Sequence, residues 1–175
     1  DIGCGKAYLS FSAKAYIEAT RGINVRLTGV DINEKIIAAC RRMAETLGYG
    51  EDKAAFIAAD IADYKPASAP DVVLSLHACD TATDEALAFG VENGARAILC
   101  APCCQHELQK QIATTGPNRA LLRNGILRER LADILTDAFR AQVLRIMGYR
   151  VLVVEFIEPD ATARVQLCRA VASAR

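Results

Sequence analysis

Most of the reactive chemistry in this sequence lies in a glycine-spaced turn, three aspartates and two short clusters of cysteine and histidine. The turn is Asp1-Ile2-Gly3-Cys4-Gly5-Lys6-Ala7, and the helix-compatible run Tyr8-Leu9-Ser10-Phe11 follows it. Glycine lets a backbone approach a ligand closely, because no Cβ stands in the way. A helix that starts here offers unpaired N–H groups at its first turn. The stretch therefore reads as a strand end turning tightly into a helix, a nucleotide-type binding loop. Asp31 closes Gly29-Val30-Asp31 and Asp60 closes Ala58-Ala59-Asp60. The two clusters are His77-Ala78-Cys79-Asp80 and Pro102-Cys103-Cys104-Gln105-His106.

Each acid has a definite use. A carboxylate at Asp31 can accept hydrogen bonds from both cis hydroxyls of a ribose, as acids after a second strand do in dinucleotide folds. Asp60 can accept from the exocyclic amine of an adenine while Ile32 and Ile61 sandwich the ring. An acid after one strand could equally cap the next helix. Three of them in register behind a glycine turn favour a ligand. A pyrophosphate is disfavoured, because the third glycine of the dinucleotide fingerprint is replaced by Tyr8. Asp1, next to the turn, would also repel phosphates. It suits a ligand with a positive centre, and S-adenosylmethionine has a sulfonium, an ammonium, a ribose, an adenine and no phosphate.

The two clusters leave alternatives open. With an ordinary pKa of about 6.5, His77 can act as a general base, or it can be a packed histidine at a helix end. Asp80 can orient His77 or reach the adenine end of the cofactor. His77, Cys79, Cys103, Cys104 and His106 could hold a metal, since thiolates and imidazoles suit zinc. There is no Cys-x-x-Cys, however, and small buried cysteines are the commoner case, so no metal is expected. Arg119, Arg123, Arg128 and Arg130 can hold a phosphate-bearing substrate or form a solvated face paired with Glu129 and Asp133.

The elements that must position these residues follow from periodicity. Helices are expected over 6–21, from Asn33 through Leu47, over 83–93 and over 127–147. Strands are expected over 24–31, 54–60, 71–77, 95–101, 149–157 and 164–172. The long helix carries Leu131, Ile134, Leu135, Ala138 and Phe139 on its apolar side. The last two strands are joined too closely for a parallel crossover and must be antiparallel. Alternating strands and helices ending in such a hairpin specify an α/β fold. It is Rossmann-like: an open, mostly parallel sheet with helices on both faces and a C-terminal antiparallel hairpin. The strand ends then line one edge, which is where such folds bind ligands. With only Ile2 flanking Asp1, the sequence reads as beginning inside its first strand.

Composition narrows the class. The 175 residues fit one domain, 1–175, with 21 acidic and 21 basic side chains and no net charge. Overall charge gives no support for nucleic-acid or membrane binding, which leaves local patches as the only electrostatic route. No run approaches the roughly 20 apolar residues of a membrane span. The seven cysteines form no disulfide framework, and the expectation is a reduced, cytoplasmic protein.

The residues also carry a resemblance. Asp1-Ile2-Gly3-Cys4-Gly5-Lys6, Gly29-Val30-Asp31-Ile32-Asn33 and Ala59-Asp60-Ile61 resemble the successive cofactor motifs of class I S-adenosylmethionine-dependent methyltransferases. Ala7 replaces a frequent glycine of that motif. More narrowly, Leu76-His77-Ala78-Cys79-Asp80-Thr81-Ala82-Thr83-Asp84 and Ala101-Pro102-Cys103-Cys104-Gln105-His106 resemble one subgroup. It includes methyltransferase-like protein 25, the glutathione S-transferase C-terminal-domain-containing protein and a tRNA ribose 2′-O-methyltransferase family. No Asn-Pro-Pro-Tyr follows the fourth strand, so the DNA or glutamine amino-methyltransferase type is not indicated.

The resemblance implies a methyltransferase acting on an acceptor that the residues do not identify, with RNA, tRNA included, favoured by the resemblance alone. Cofactor contacts are expected from Asp1, Gly3, Gly5, Asp31, Ile32, Asp60, Ile61, Leu76 and His77. Catalytic roles are expected for His77 and Asp80, and acceptor contacts for Pro102, Cys103, Cys104, Gln105 and His106. The competing readings are a catalytically inactive module of the same fold that binds proteins, and a nicotinamide oxidoreductase, which Tyr8 and the terminal hairpin disfavour.

Overall fold

The computed structural model describes residues 1–76, 78, 80–102, 106–112, 119–155 and 166–172. In chain order the elements are α1 (Tyr8–Arg21), β1 (Leu27–Asp31), α2 (Glu34–Thr46), β2 (Ala54–Ala58), β3 (Val72–Ser75) and α3 (Thr81–Glu92). They continue with β4 (Ala97–Cys100), α4 (Glu107–Gln111), α5 (Arg119–Leu122), α6 (Gly125–Ile146), β5 (Tyr149–Glu155) and β6 (Gln166–Ala172).

β1 pairs with β2 in parallel, and β3 with β4. Residues 1 and 2 join these pairs. The Val30 N–H donates to the Asp1 carbonyl at 2.9 Å, Ile2 bridges Val30, and the Ile2 N–H donates to the Leu74 carbonyl at 2.8 Å. The strand order is therefore β2, β1, residues 1–2, β3, β4, β6, β5. β6 is antiparallel to both neighbours, β4 and β5. The expected open, mostly parallel sheet with one reversed strand is present. The reversed strand inserts between its predecessors, which local pattern does not reveal.

Side chains alternate across a strand, and the core divides accordingly. Leu27 and Phe56 join Phe11, Ile37, Cys40 and Ala44 beneath α1 and α2. Val30, with opposite parity, joins Val73, Leu87, Ile98, Leu144 and Ala170 beneath α3 and α6. Helices thus cover both faces. At Gly29 a Cβ would lie 2.5 Å from the Phe56 ring and 3.1 Å from Cys4 Sγ, so only glycine fits there.

Element bounds differ from the sequence expectation by one to three residues at most ends. Hydrogen bonding stops where the strands reach the edge loops. The expected strand ends at 157 and 164 lie outside the described residues. Between β4 and α6 lie two short helices that the periodicity did not indicate, α4 and α5.

The larger differences concern which helix faces are buried. On α6 the buried residues are Ala132, Asp137, Arg140, Ala141 and Leu144, whereas Phe139 is 59% exposed and Ile134 also faces solvent. On this buried face Arg140 pairs with Asp84, 56 positions away, which no hydropathy pattern records. On α1 the buried residues are Ser10, Phe11 and Lys14, while Leu9, Tyr16 and Ile17 are exposed. Lys14 is 1% exposed because its ammonium is fully engaged: it meets Glu18 Oε1 and the Val25 carbonyl, and lies 4.6 Å from the Tyr49 ring centroid.

Candidate active site

The glycine turn has the geometry that its residue types require. Gly3, Gly5 and Ala7 have φ of 68°, 50° and 53°. This left-handed region is open to glycine and costs other L-residues about 1–2 kcal/mol. The Gly3 and Cys4 N–H groups both donate to the Val30 carbonyl at 2.9 Å, folding the turn over the end of β1. Ala7 then opens α1. It is buried, so its methyl group contributes core contact at a position where glycine would be less strained.

Asp31, at the end of β1, locks the turn. Its Oδ2 accepts from the Gly5 N–H at 2.9 Å and its Oδ1 from the Asn33 N–H at 2.9 Å. Asn33 in turn caps α2, accepting from the Lys35 and Ile36 N–H groups. A carboxylate oxygen has two acceptor sites, so each Asp31 oxygen keeps one. Asp1 accepts from the Ser10 hydroxyl through Oδ2, and its Oδ1 is buried with no hydrogen-bond partner. A buried anionic oxygen without a partner is costly and suits a cation brought by a ligand.

Asp60 follows β2 and is exposed, with its Oδ1 accepting from the Ala62 N–H at 3.0 Å. The Ala59 N–H donates to the Asp31 carbonyl at 3.1 Å, which fixes this loop beside the first. Ile32 is 73% exposed, a conspicuous position for an isoleucine, and Ile61 is partly buried against the core. Asp1, Gly3, Gly5, Asp31, Ile32, Asp60 and Ile61 therefore occupy consecutive strand ends at one edge of the sheet. The strand order reverses direction between residues 1–2 and β3, and that reversal is where such sheets leave a crevice for ligands.

The next two loops complete the edge. Leu76 is partly buried after β3. A Cβ on Gly3 would meet the Ala78 Cβ at 3.2 Å, so the turn and this loop are in close contact. The Ala101 N–H donates to the Ser75 carbonyl at 3.0 Å, and Pro102 is buried just beyond β4. His106 is exposed. His77, Cys79, Cys103, Cys104 and Gln105 lie outside the described residues.

The described contacts of Asp80 are to the loop after β4 and to α6. Its Oδ1 accepts from the backbone N–H groups of His106 and Glu107 at 3.1 and 3.0 Å. Its own carbonyl accepts from Arg140 at 2.9 Å. It is a junction between loops, and its described contacts include neither the glycine turn nor the Asp60 loop. Arg140 was not singled out in the sequence, and Asp84 and Ser10 stood within its motifs without a role of their own. The Asp137-x-x-Arg140 spacing on α6 was the one available signal, and it looks like any surface pair.

Beneath the turn, Cys4 and Cys40 both direct Sγ at the Gly5 carbonyl, at 3.5 and 3.3 Å. Burial pushes the Cys4 thiol up to about 12, with Cys40 and Asp31 adding to the effect. Burial also raises Cys40. These are inert packing thiols with little thiolate character. A separate cavity of about 590 Å³ lies between α3, α4 and α6, walled by Leu87, Val91, Phe139 and Val143, and among the described edge residues Asp80 lines it. None of the turn residues lines it.

A family model described as "Methyltransferase domain" matches residues 1–111. No curated protein gives a significant sequence match. Among solved structures, magnesium protoporphyrin IX methyltransferase from Synechocystis PCC 6803, with bound SAH, superposes with a TM-score of 0.60 at 17% identity, over 98% of this chain and 71% of that one. An rRNA methylase from Streptococcus thermophilus gives 0.62 at 10% identity, over 99% and 85%. TrmK from M. capricolum, in complex with S-adenosyl-homocysteine, gives 0.58 at 15% identity, over 99% and 61%. At these identities the superpositions establish the fold, which is that of class I methyltransferases. With the family match spanning well over half of the sequence, the chain belongs to the methyltransferase-domain family and is an S-adenosylmethionine-dependent methyltransferase.

Proposed function

We propose that this enzyme transfers the cofactor's methyl group to RNA, and that the acceptor enters over the loops 76–80 and 101–106. The observation that carries the placement is the close approach of Gly3 to Ala78. It sets the loop after β3 directly beside the cofactor turn, and the bond from Asp80 to His106 draws the loop after β4 to the same place. The RNA reading is supported by the subgroup resemblance of 76–84 and 101–106. Two of the structural neighbours are named as an rRNA methylase and as TrmK. Arg119, Arg123 and Arg130 are exposed on α5, after it and on α6, and can meet phosphates.

The residues present fit the cofactor. Asp31 would hold the ribose with its two remaining acceptor sites, the unpartnered Asp1 Oδ1 would suit the cationic end, and Asp60 with Ile32 and Ile61 would take the adenine. The cofactor supplies an electrophilic methyl group on a sulfonium. The protein's contribution is then to align the acceptor for in-line attack and to exclude other geometries. An acceptor hydroxyl needs a base, and His77 is the residue assigned to it.

Methyl-labelled cofactor incubated with total RNA and with protein extract tests the acceptor class. Label in RNA that is lost on ribonuclease treatment is expected. Label confined to protein would overturn the reading.

A further inference from the structure

We infer that Arg140 is a positioning residue for methyl transfer: by gripping Asp84 and the Asp80 carbonyl it fixes the junction where the two acceptor-side loops meet. Its functional meaning rests on the acceptor placement above, but its geometry does not.

Arg140 sits two-thirds of the way along α6, with its side chain 4% exposed. Its Nε donates to Asp84 Oδ1 at 2.6 Å and its Nη2 to Asp84 Oδ2 at 3.1 Å, a bidentate pairing. The same Nη2 donates to the Asp80 carbonyl at 2.9 Å. Asp137 approaches Nη1 at 3.5 Å. Burial would lower the guanidinium pKa, but the hydrogen bond and charge of Asp84, with Asp137, outweigh it and hold the group charged.

Asp80 is the residue this grip serves. Its φ of 55° and ψ of −127° are open to glycine and strained for aspartate. Such a conformation persists only where its surroundings over-determine it. Here they do so from both sides. Arg140 holds the carbonyl, and the carboxylate accepts from the His106 and Glu107 N–H groups. One residue thus ties the loop after β3 to the loop after β4, and a buried cation on a third element keeps it in a backbone shape it would otherwise leave.

A salt bridge to Asp84 alone would suffice to pack α6 against α3. The additional bond to the backbone of an edge residue is what marks a positioning role. Its planar fork is required, because a lysine ammonium cannot span both carboxylate oxygens and the carbonyl in this geometry. When the grip is lost, Asp80 relaxes toward ordinary φ and its carboxylate leaves the Glu107 amide. The two loops then move independently of each other beside the turn. The cofactor contacts of Gly5 and Asp31, held by separate bonds, stay in place.

The test uses the full chain with Arg140→Lys, Asp84→Asn, Asp80→Ala and Asp80→Asn. Three quantities are measured: amide hydrogen exchange at Glu107 and at Ile98, S-adenosylhomocysteine affinity, and kcat and KM for labelling of total RNA. Arg140→Lys and Asp80→Ala are expected to speed exchange at Glu107 about tenfold, near the lower end of what a charge-assisted hydrogen bond contributes. Asp84→Asn, which weakens the grip without removing it, should speed it less. Ile98 exchange and cofactor affinity should stay within about twofold of wild type, and kcat should fall at unchanged cofactor KM. Asp80→Asn keeps a side-chain oxygen that can accept from the Glu107 amide, so it should restore part of the protection that Asp80→Ala loses. Unchanged Glu107 exchange in Arg140→Lys would overturn the inference. So would parallel changes at Glu107 and Ile98, which signify general destabilisation. If wild type labels no RNA, the acceptor reading fails on its own, and the exchange ratio still decides the role of Arg140.

Discussion

Removing the Asp31 carboxylate should weaken cofactor binding by a calculable amount. The carboxylate already accepts from Gly5 and Asn33, each at 2.9 Å, and retains one acceptor site on each oxygen for the ribose hydroxyls. Hydrogen bonds to a charged partner contribute about 1.5–3 kcal/mol each, and part of that is recovered by water in the empty site. Asp31→Ala should therefore cost about 1–3 kcal/mol, or roughly 5- to 150-fold in affinity. Asp31→Asn keeps an oxygen for the Gly5 amide and should cost less. Calorimetry with S-adenosylhomocysteine and with its 2′-deoxy analogue separates ribose binding from loosening of the turn. If Asp31 holds the ribose, the deoxy analogue should bind wild type more weakly than the parent ligand. In Asp31→Ala the two ligands should bind alike, a non-additivity expected only of groups in contact. Unchanged affinity in Asp31→Ala, or fully additive losses, would refute the assignment.

Other expectations concern the base, the sheet and the thiols. His77→Ala should lower turnover on RNA far more than it lowers S-adenosylhomocysteine affinity; the reverse pattern in steady-state kinetics and calorimetry would reassign His77 to cofactor binding. Gly29→Ala must displace the Phe56 ring, which stands 2.5 Å from the added Cβ. It should lower the stability measured by urea unfolding by about 1–3 kcal/mol, and a neutral result would contradict the packing of β1 on β2. Buried Cys4 and Cys40 have folded pKa values above their unfolded value of 9.0. Below pH 9 both states keep the protons and stability is flat. Above it the unfolded chain loses them first, so stability should fall by up to about 1.4 kcal/mol per pH unit for each thiol. For Cys4 the fall should continue toward its folded value of about 12. Urea midpoints that hold from pH 8 to 10.5 would contradict this burial.

What the sequence reveals of this protein is what local chemistry can encode. The turn, Asp31 and Asp60 were legible because glycine and aspartate at strand ends have few other uses, and the structure places them on one edge. The Asn33 cap was legible for the same reason. The buried faces of α1 and α6 were not. Lys14 and Arg140 are among the most polar residues on their helices, yet they are buried, because partners 4 to 60 positions away satisfy them. The small buried residues Ala132 and Ala141 carry little hydropathic signal beside exposed Ile134 and Phe139. Asp80 was recognised as a site residue, but its junction role depends on Arg140, which is distant in sequence. The insertion of β6 between β4 and β5 is likewise a long-range choice.

We place the cofactor on the edge formed by the glycine turn and the two aspartate loops. An amide-resolved titration of the labelled full chain with S-adenosylhomocysteine tests it most directly. Saturable shifts are predicted at Gly3, Gly5, Asp31, Ile32, Asp60 and Ile61, with Val91 and Val143 in the cavity between α3 and α6 unmoved. Shifts centred on that cavity, or none at the turn, would contradict the account.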